Sequence, residues 1–126
     1  LGGLYFDFQD KVKMYENKNT VDLTVKIIQE IKKIAEDNNK TPVLVILPTQ
    51  YDIEYMKETD HVYYSNLITS TEKFIDVIDI GSCFINHDRD KIFYTEQGYG
   101  AHLSPEGNKV AADFIHNYLK TNILAK

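Results

Sequence analysis

The 126-residue sequence contains one cysteine, Cys83, which excludes an intrachain disulfide and a thiolate cage for a metal ion. It has no basic cluster either. Its 14 Lys and Arg stand against 19 Asp and Glu, giving a net charge of −5, and a chain with no basic stripe to neutralise phosphates is a poor nucleic-acid binder. Apolar runs such as Val43 to Leu47 fall far short of the roughly 20 residues needed to cross a bilayer, so no membrane-spanning segment is expected. There is no internal repeat or low-complexity tract. Glycine is sparse where a phosphate loop would need it. Neither Leu47-Pro48-Thr49 nor Ile80-Gly81-Ser82 is rich enough in glycine to cradle a phosphate, which argues against a flavodoxin-like ligand binder. The first residue is Leu, with no charged segment and apolar core behind it, so the sequence reads as starting inside a longer gene product.

What is present suits one compact domain: 43% hydrophobic and 26% charged residues are ordinary for a globular protein of this length. Residues 1–18 carry scattered aromatics (Tyr5, Phe6, Phe8, Tyr15) without a clean period and read as an irregular lead-in or a poorly bounded short element. The domain proper is then 19–126. From Thr20, the residues Ile27, Ile28, Ile31, Ile34 and Ala35 recur at helical spacing, with Asn19 or Thr20 as cap and Asn38-Asn39 at the end. Thr41 to Leu47 is an unbroken aliphatic run stopped by Pro48, which suits a central parallel strand buried on both faces. A second strand is expected over Phe74 to Ile80, and a weaker helical pattern within Tyr51 to Lys73 makes the whole a right-handed βαβ unit. Gly81 to Ala101 reads as a long connection, of the kind that is functional or poorly ordered. The last helix is the best signalled element: Ser104 as N-cap, Pro105 in first position, then Val110, Ala111, Phe114, Ile115, Tyr118 and Leu119 along one face. This order is the second half of a doubly wound α/β sheet.

In such sheets ligands sit beyond the carboxyl ends of the strands, where Pro48 to Asp52 and Gly81 to Ala101 would lie. His102 ends the second of these loops, two residues before the helix cap, and a short tether to a rigid element is how a general base is held toward a nucleophile. The stretch YGAHLSPEGNKVAADFIHNYL, preceded by IFYTEQG, resembles the histidine block of SGNH/GDSL hydrolases in His102, Pro105, Gly107 and the Ala111/Ala112 helix face. The resemblance covers residues 20–122, its motif-grade part lying at the C-terminal end.

It implies an α/β fold, the C-terminal half of a three-layer αβα (flavodoxin-like/SGNH) parallel-sheet architecture. The implied activity is acyl-ester hydrolysis or O-acyl transfer without cofactor, with His102 as base and a small-molecule or carbohydrate acyl ester as substrate. The family's serine motif and its oxyanion-hole Gly and Asn have no counterpart here: the chain has no Gly-Asp-Ser and no Gly-x-Asn-Asp, and its one Gly-Ser, Gly81-Ser82, follows the later strand. The family's acid, two or three residues before the histidine, is replaced by Gly100 and Tyr99, which leaves Glu96 as the closest carboxylate to orient the ring, ahead of Asp90 and Asp88. A half sheet would expose apolar strand faces or an open edge, so the chain is expected to pair with its own N-terminal half, with another copy or with another chain. The competing expectation is a non-catalytic α/β scaffold or binding module that has lost its site.

Plainer readings stand beside these. A loop histidine often only caps a carbonyl or packs near a helix start. Ser104, spaced before Pro105, reads as a cap and not a nucleophile. His87, Asp88 and Asp90 have the chemistry of a metal site but read as a solvated loop, so no metal is expected. Asp76 and Asp79 lie on the second strand, where Asp79 is suited to binding loop amides. Tyrosines 51, 55, 63, 64, 94 and 99 are candidates for a pocket lining, yet with nine in the chain most must be core or rim, and only Tyr94 and Tyr99 fall near His102.

Overall fold

In the computed structural model, residues 8–87, 93–95 and 102–125 are described. They form a mixed α/β fold, mostly helical, with one small parallel sheet. The elements in chain order are α1 (Phe8–Glu16), α2 (Lys18–Asp37), β1 (Val43–Ile46), α3 (Gln50–Thr59), α4 (Ser65–Thr71), β2 (Asp76–Asp79), α5 (Ile80–Ile85) and α6 (Pro105–Asn122). They divide between two compact units, Leu1–Leu44 with Val62–Val77 and Val45–His61 with Ile78–Lys126.

In the first unit α1 packs on α2 and α2 on α4. Part of the segment read as an irregular lead-in or short element is therefore the helix α1, which buries Val12. The cap of α2 lies earlier than expected: the Asn17 side chain accepts from the Thr20 amide at 3.1 Å, so Asn17 takes the role assigned to Asn19 or Thr20. At the other end Asn39 adopts the left-handed conformation, φ 57°, and stops the helix. Ile28, Leu67 and Ile75 form a core, packed by Tyr15, Val25, Leu44, Phe74 and Val77. A second cluster centres on Tyr63, whose ring meets those of Phe8, Tyr15 and Tyr64 edge-on at 5.8, 5.4 and 5.1 Å.

The predicted apolar face of α2 is only partly used. Val21 and Ile28 are buried, whereas Leu23, Ile27, Ile31 and Ile34 are 60%, 53%, 56% and 62% exposed. Their spacing of three and four residues lines them up as one apolar stripe along the helix.

Among the described residues the sheet has two strands, β1 beside β2. Both are shorter than the sequence pattern indicates. Pro42 has no N–H to give a ladder, and Leu47 precedes Pro48, so pairing is confined to Val43–Ile46. All four β1 residues are half-buried, which corrects the expectation of a central strand covered on both faces: among the described residues β1 has one neighbour. In β2, Phe74 and Ile75 belong to the preceding turn and Ile80 opens α5. The expected long connection from Gly81 is thus helical at its start. The crossover between the strands holds two helices, α3 and α4, in place of one.

In the second unit α3 packs on α5 and α5 on α6. Ile53, Met56, Ile78, Ile80, Phe84 and Phe93 are among its buried side chains, with Phe84 against Phe93 at 4.6 Å between ring centres. Phe84 is fully buried, so Phe84→Ala is expected to cost about 3–5 kcal/mol. Leu124→Ala, at a side chain 76% exposed, should shift stability by less than about 0.5 kcal/mol. Equal urea midpoints for the two variants would contradict this placement of the core.

Candidate functional site

The expected start of the last helix is borne out. The Ser104 hydroxyl oxygen accepts from the Gly107 amide at 3.0 Å, and Pro105 occupies the first turn, where its missing N–H leaves no helical bond unmade. Just before this cap the chain runs beside residues 93–95 as a short antiparallel ladder. Tyr94 bridges Leu103, the Thr95 amide donates to the His102 carbonyl at 2.9 Å, and the Ser104 amide donates to the Phe93 carbonyl at 2.8 Å. The Thr95 hydroxyl adds a longer bond to the same His102 carbonyl at 3.3 Å.

The alternation of an extended chain sorts the side chains. Tyr94 and Leu103 are opposite one another and face inward, Tyr94 buried and Leu103 half-buried. His102, next in sequence to Leu103, takes the other face and is exposed. Its backbone is held while its imidazole stands in solvent, and among the described residues no side chain hydrogen-bonds that ring.

Gly107 explains how α6 reaches this ladder. A Cβ on Gly107 would lie 2.2 Å from the Phe93 carbonyl oxygen and 2.9 Å from its carbonyl carbon, so any other residue would collide with main chain. The glycine lets the first turn of α6 rest on the backbone of Phe93.

A second tie runs to the exit of β1. The Tyr94 hydroxyl donates to the Pro48 carbonyl at 2.8 Å, a buried bond between residues 46 apart in sequence. Immediately after Pro48, Thr49 caps α3 in a reciprocal box: Asp52 Oδ2 accepts from the Thr49 amide at 2.6 Å and from its hydroxyl at 2.9 Å. These bonds account for a carboxylate that is only 3% exposed. Asp79 plays the part expected of it after β2: its Oδ1 accepts from the Gly81 amide at 2.9 Å and caps α5.

The other candidates fall as follows. Ser104 is a cap, and the Ser82 hydroxyl donates to the Asp79 carbonyl at 2.7 Å. Burial pushes the Cys83 thiol up, the wrong direction for a thiolate nucleophile. Tyr63 and Tyr64 are core residues of the first unit, while Tyr51 is 54% exposed beside the Thr49 cap. His87 meets Phe93 edge-on at 4.8 Å. Among the described residues no group of three His, Cys, Asp or Glu could hold a metal, and Asp88 and Asp90 lie outside those residues. Glu96, the candidate orienting acid, and Tyr99 lie outside them too. Two surface hollows, one lined by Met14, Tyr15, Val21 and Leu67 and the other by Glu16, Lys18, Asn66 and Ser70, belong to the first unit and do not include His102. Sequence reasoning missed the hydroxyl bond of Tyr94 and the contact that requires Gly107.

Set against models of known protein families, curated proteins and solved structures, the chain finds no match in any of the three.

Gly107→Ala pits a helix-propensity gain of up to about 1 kcal/mol against a clash with main chain that cannot rotate away. Overpacking of this kind costs about 1–3 kcal/mol, so a net loss of stability is expected by thermal or urea unfolding. An unchanged or raised midpoint would sink the contact. Cys83 should react with iodoacetamide more slowly than an ordinary exposed cysteine near neutral pH, its rate still climbing where an ordinary thiol has levelled off. A rate already at plateau by pH 8 would contradict the burial.

Proposed function

We propose that this chain is the C-terminal, histidine-bearing part of an SGNH/GDSL-type serine hydrolase with the three-layer αβα architecture of that family. Its reaction is hydrolysis of an acyl ester, or transfer of the acyl group to another hydroxyl. The observation that carries the reading is the setting of His102: an exposed imidazole on a backbone fixed by two ladder bonds, two residues before a well-capped helix. A general base needs an accessible ring on a held main chain.

His102 removes the proton from a serine hydroxyl supplied from outside this chain as the serine oxygen bonds to the acyl carbon. The same proton passes to the departing alkoxide as the ester bond breaks. Water or an acceptor hydroxyl then repeats the sequence on the acyl-serine, and no cofactor is needed. Glu96 is the carboxylate proposed to orient the ring. The substrate class is a small-molecule or carbohydrate acyl ester.

The apolar stripe of α2, with Leu23, Ile27, Ile31 and Ile34 each more than half exposed, supports the further reading that the chain pairs with the complementary half of such a fold or with another copy. A non-catalytic scaffold is the second reading. It is favoured by Ser104, two residues from His102, and Ser82, in the Gly81-Ser82 pair, both being engaged by backbone groups.

The product of the complete reading frame, treated with a fluorophosphonate probe, should acquire one adduct by intact mass, and His102→Ala should remove it. A folded wild-type protein without adduct would favour the scaffold. For pairing, sedimentation of the isolated chain should give a mass above the monomer, restored to monomer by Ile27→Lys with Ile31→Glu. A soluble wild-type monomer would rule out pairing with another copy.

A further inference from the structure

We infer that Tyr94 is the positioning residue of the site, its buried hydroxyl setting where the His102 imidazole stands relative to the exit of β1. This rests on the reading of His102 as the base.

Residues 93–95, residues 102–104 and the first turn of α6 form one piece. Two ladder bonds and the Thr95 hydroxyl join the two short strands, and Gly107 seats the helix directly on Phe93. A two-stranded ladder this short is marginal by itself, so its location depends on what it is tied to. The tie to the far side of the unit is Tyr94. The ring lies edge-on to Phe84 at 6.0 Å, and the hydroxyl reaches the Pro48 carbonyl at 2.8 Å, two residues beyond the last residue of β1.

The two parts of this side chain do different things. The ring fills space, which a phenylalanine would do as well. The hydroxyl gives direction: it donates to the Pro48 carbonyl in a buried setting, where a hydrogen bond is sensitive to distance and angle. Tyr94 also opposes Leu103, the residue after His102, so a shift of Tyr94 toward or away from Pro48 is passed to His102 through the Thr95 and Ser104 amides. Pro48 is in turn held by its neighbour Thr49 in the capping box with Asp52, so the carbonyl that receives the bond is itself fixed.

The test uses Tyr94→Phe, which keeps the ring, beside Tyr94→Leu, which loses it. Histidine ring C–H correlations and amide exchange would be recorded on the 126-residue chain. In Tyr94→Phe the His102 ring signals should shift or broaden and the Thr95 and Ser104 amides should exchange about tenfold faster, while Ile28 and Ile53 keep their rates. Tyr94→Leu should do the same and also lower the unfolding midpoint. Unchanged His102 signals and unchanged Thr95 and Ser104 exchange in Tyr94→Phe would overturn the inference. So would uniform acceleration at every amide, which marks a general stabilising role. Absence of a fluorophosphonate adduct in the wild-type protein, with these local changes present, would remove the hydrolase reading and leave the positioning of His102 by Tyr94 standing.

Discussion

The second unit depends on a close approach of backbone to backbone: the first turn of α6 against Phe93, at Gly107, with no space for a side-chain carbon between them. The Phe93 side chain is fully buried against Phe84, and its carbonyl accepts from the Ser104 amide, so the same residue receives the helix, the ladder and the core. A bulkier residue at 107 would push the cap away, and the ladder that fixes His102 would lose its outer strand. The accessible histidine is thus a product of a rigid seat. Its exposure follows from strand alternation once Leu103 faces inward.

The first unit poses a different physical question. Its core is small, built on Ile28, Leu67 and Ile75 with half-buried neighbours, and α2 contributes only part of its apolar surface to it. Four aliphatic side chains on the remaining stripe stay in water, at an unfavourable free energy of about 25 cal/mol for each Å² left exposed. The polar ends of the helix are in contrast well met, by Asn17 at the start and by Asn38 and Asn39 at the end. The helix is well specified and incompletely used, which is the observation behind the proposed pairing.

Much of the secondary structure was legible because its signals are local. Ser104 and Pro105 announce α6 within one turn, and the Asn38-Asn39 stop lies where the spacing places it. The helix α5 was not legible. Ile80 reads as the last residue of the strand and Gly81-Ser82 as the opening of a loop, and a six-residue helix is too short to show a period; Asp79, by capping the Gly81 amide, sets the helix. The helix α1 was obscured by aromatics that looked unpatterned, although Phe8 and Tyr15 pack edge-to-face with Tyr63, far along the chain. At the candidate site His102, Pro105 and Gly107 were visible as a motif, but the reason for Gly107 was not.

By itself the sequence determined the cap and first turn of α6, the approximate extents of the two long helices, the lack of a disulfide within the chain and the position of a histidine two residues before a helix cap. Each is decided by residues within a turn or two of one another, or by composition. The tertiary structure alone decided which face of α2 is covered, that β1 has one neighbour among the described residues, that Gly107 must lack a Cβ and that the Tyr94 hydroxyl meets Pro48. These are contacts between residues distant in the chain. No periodicity records them, because a hydrogen bond or a steric limit across 46 residues depends on where the intervening elements pack and not on their pattern.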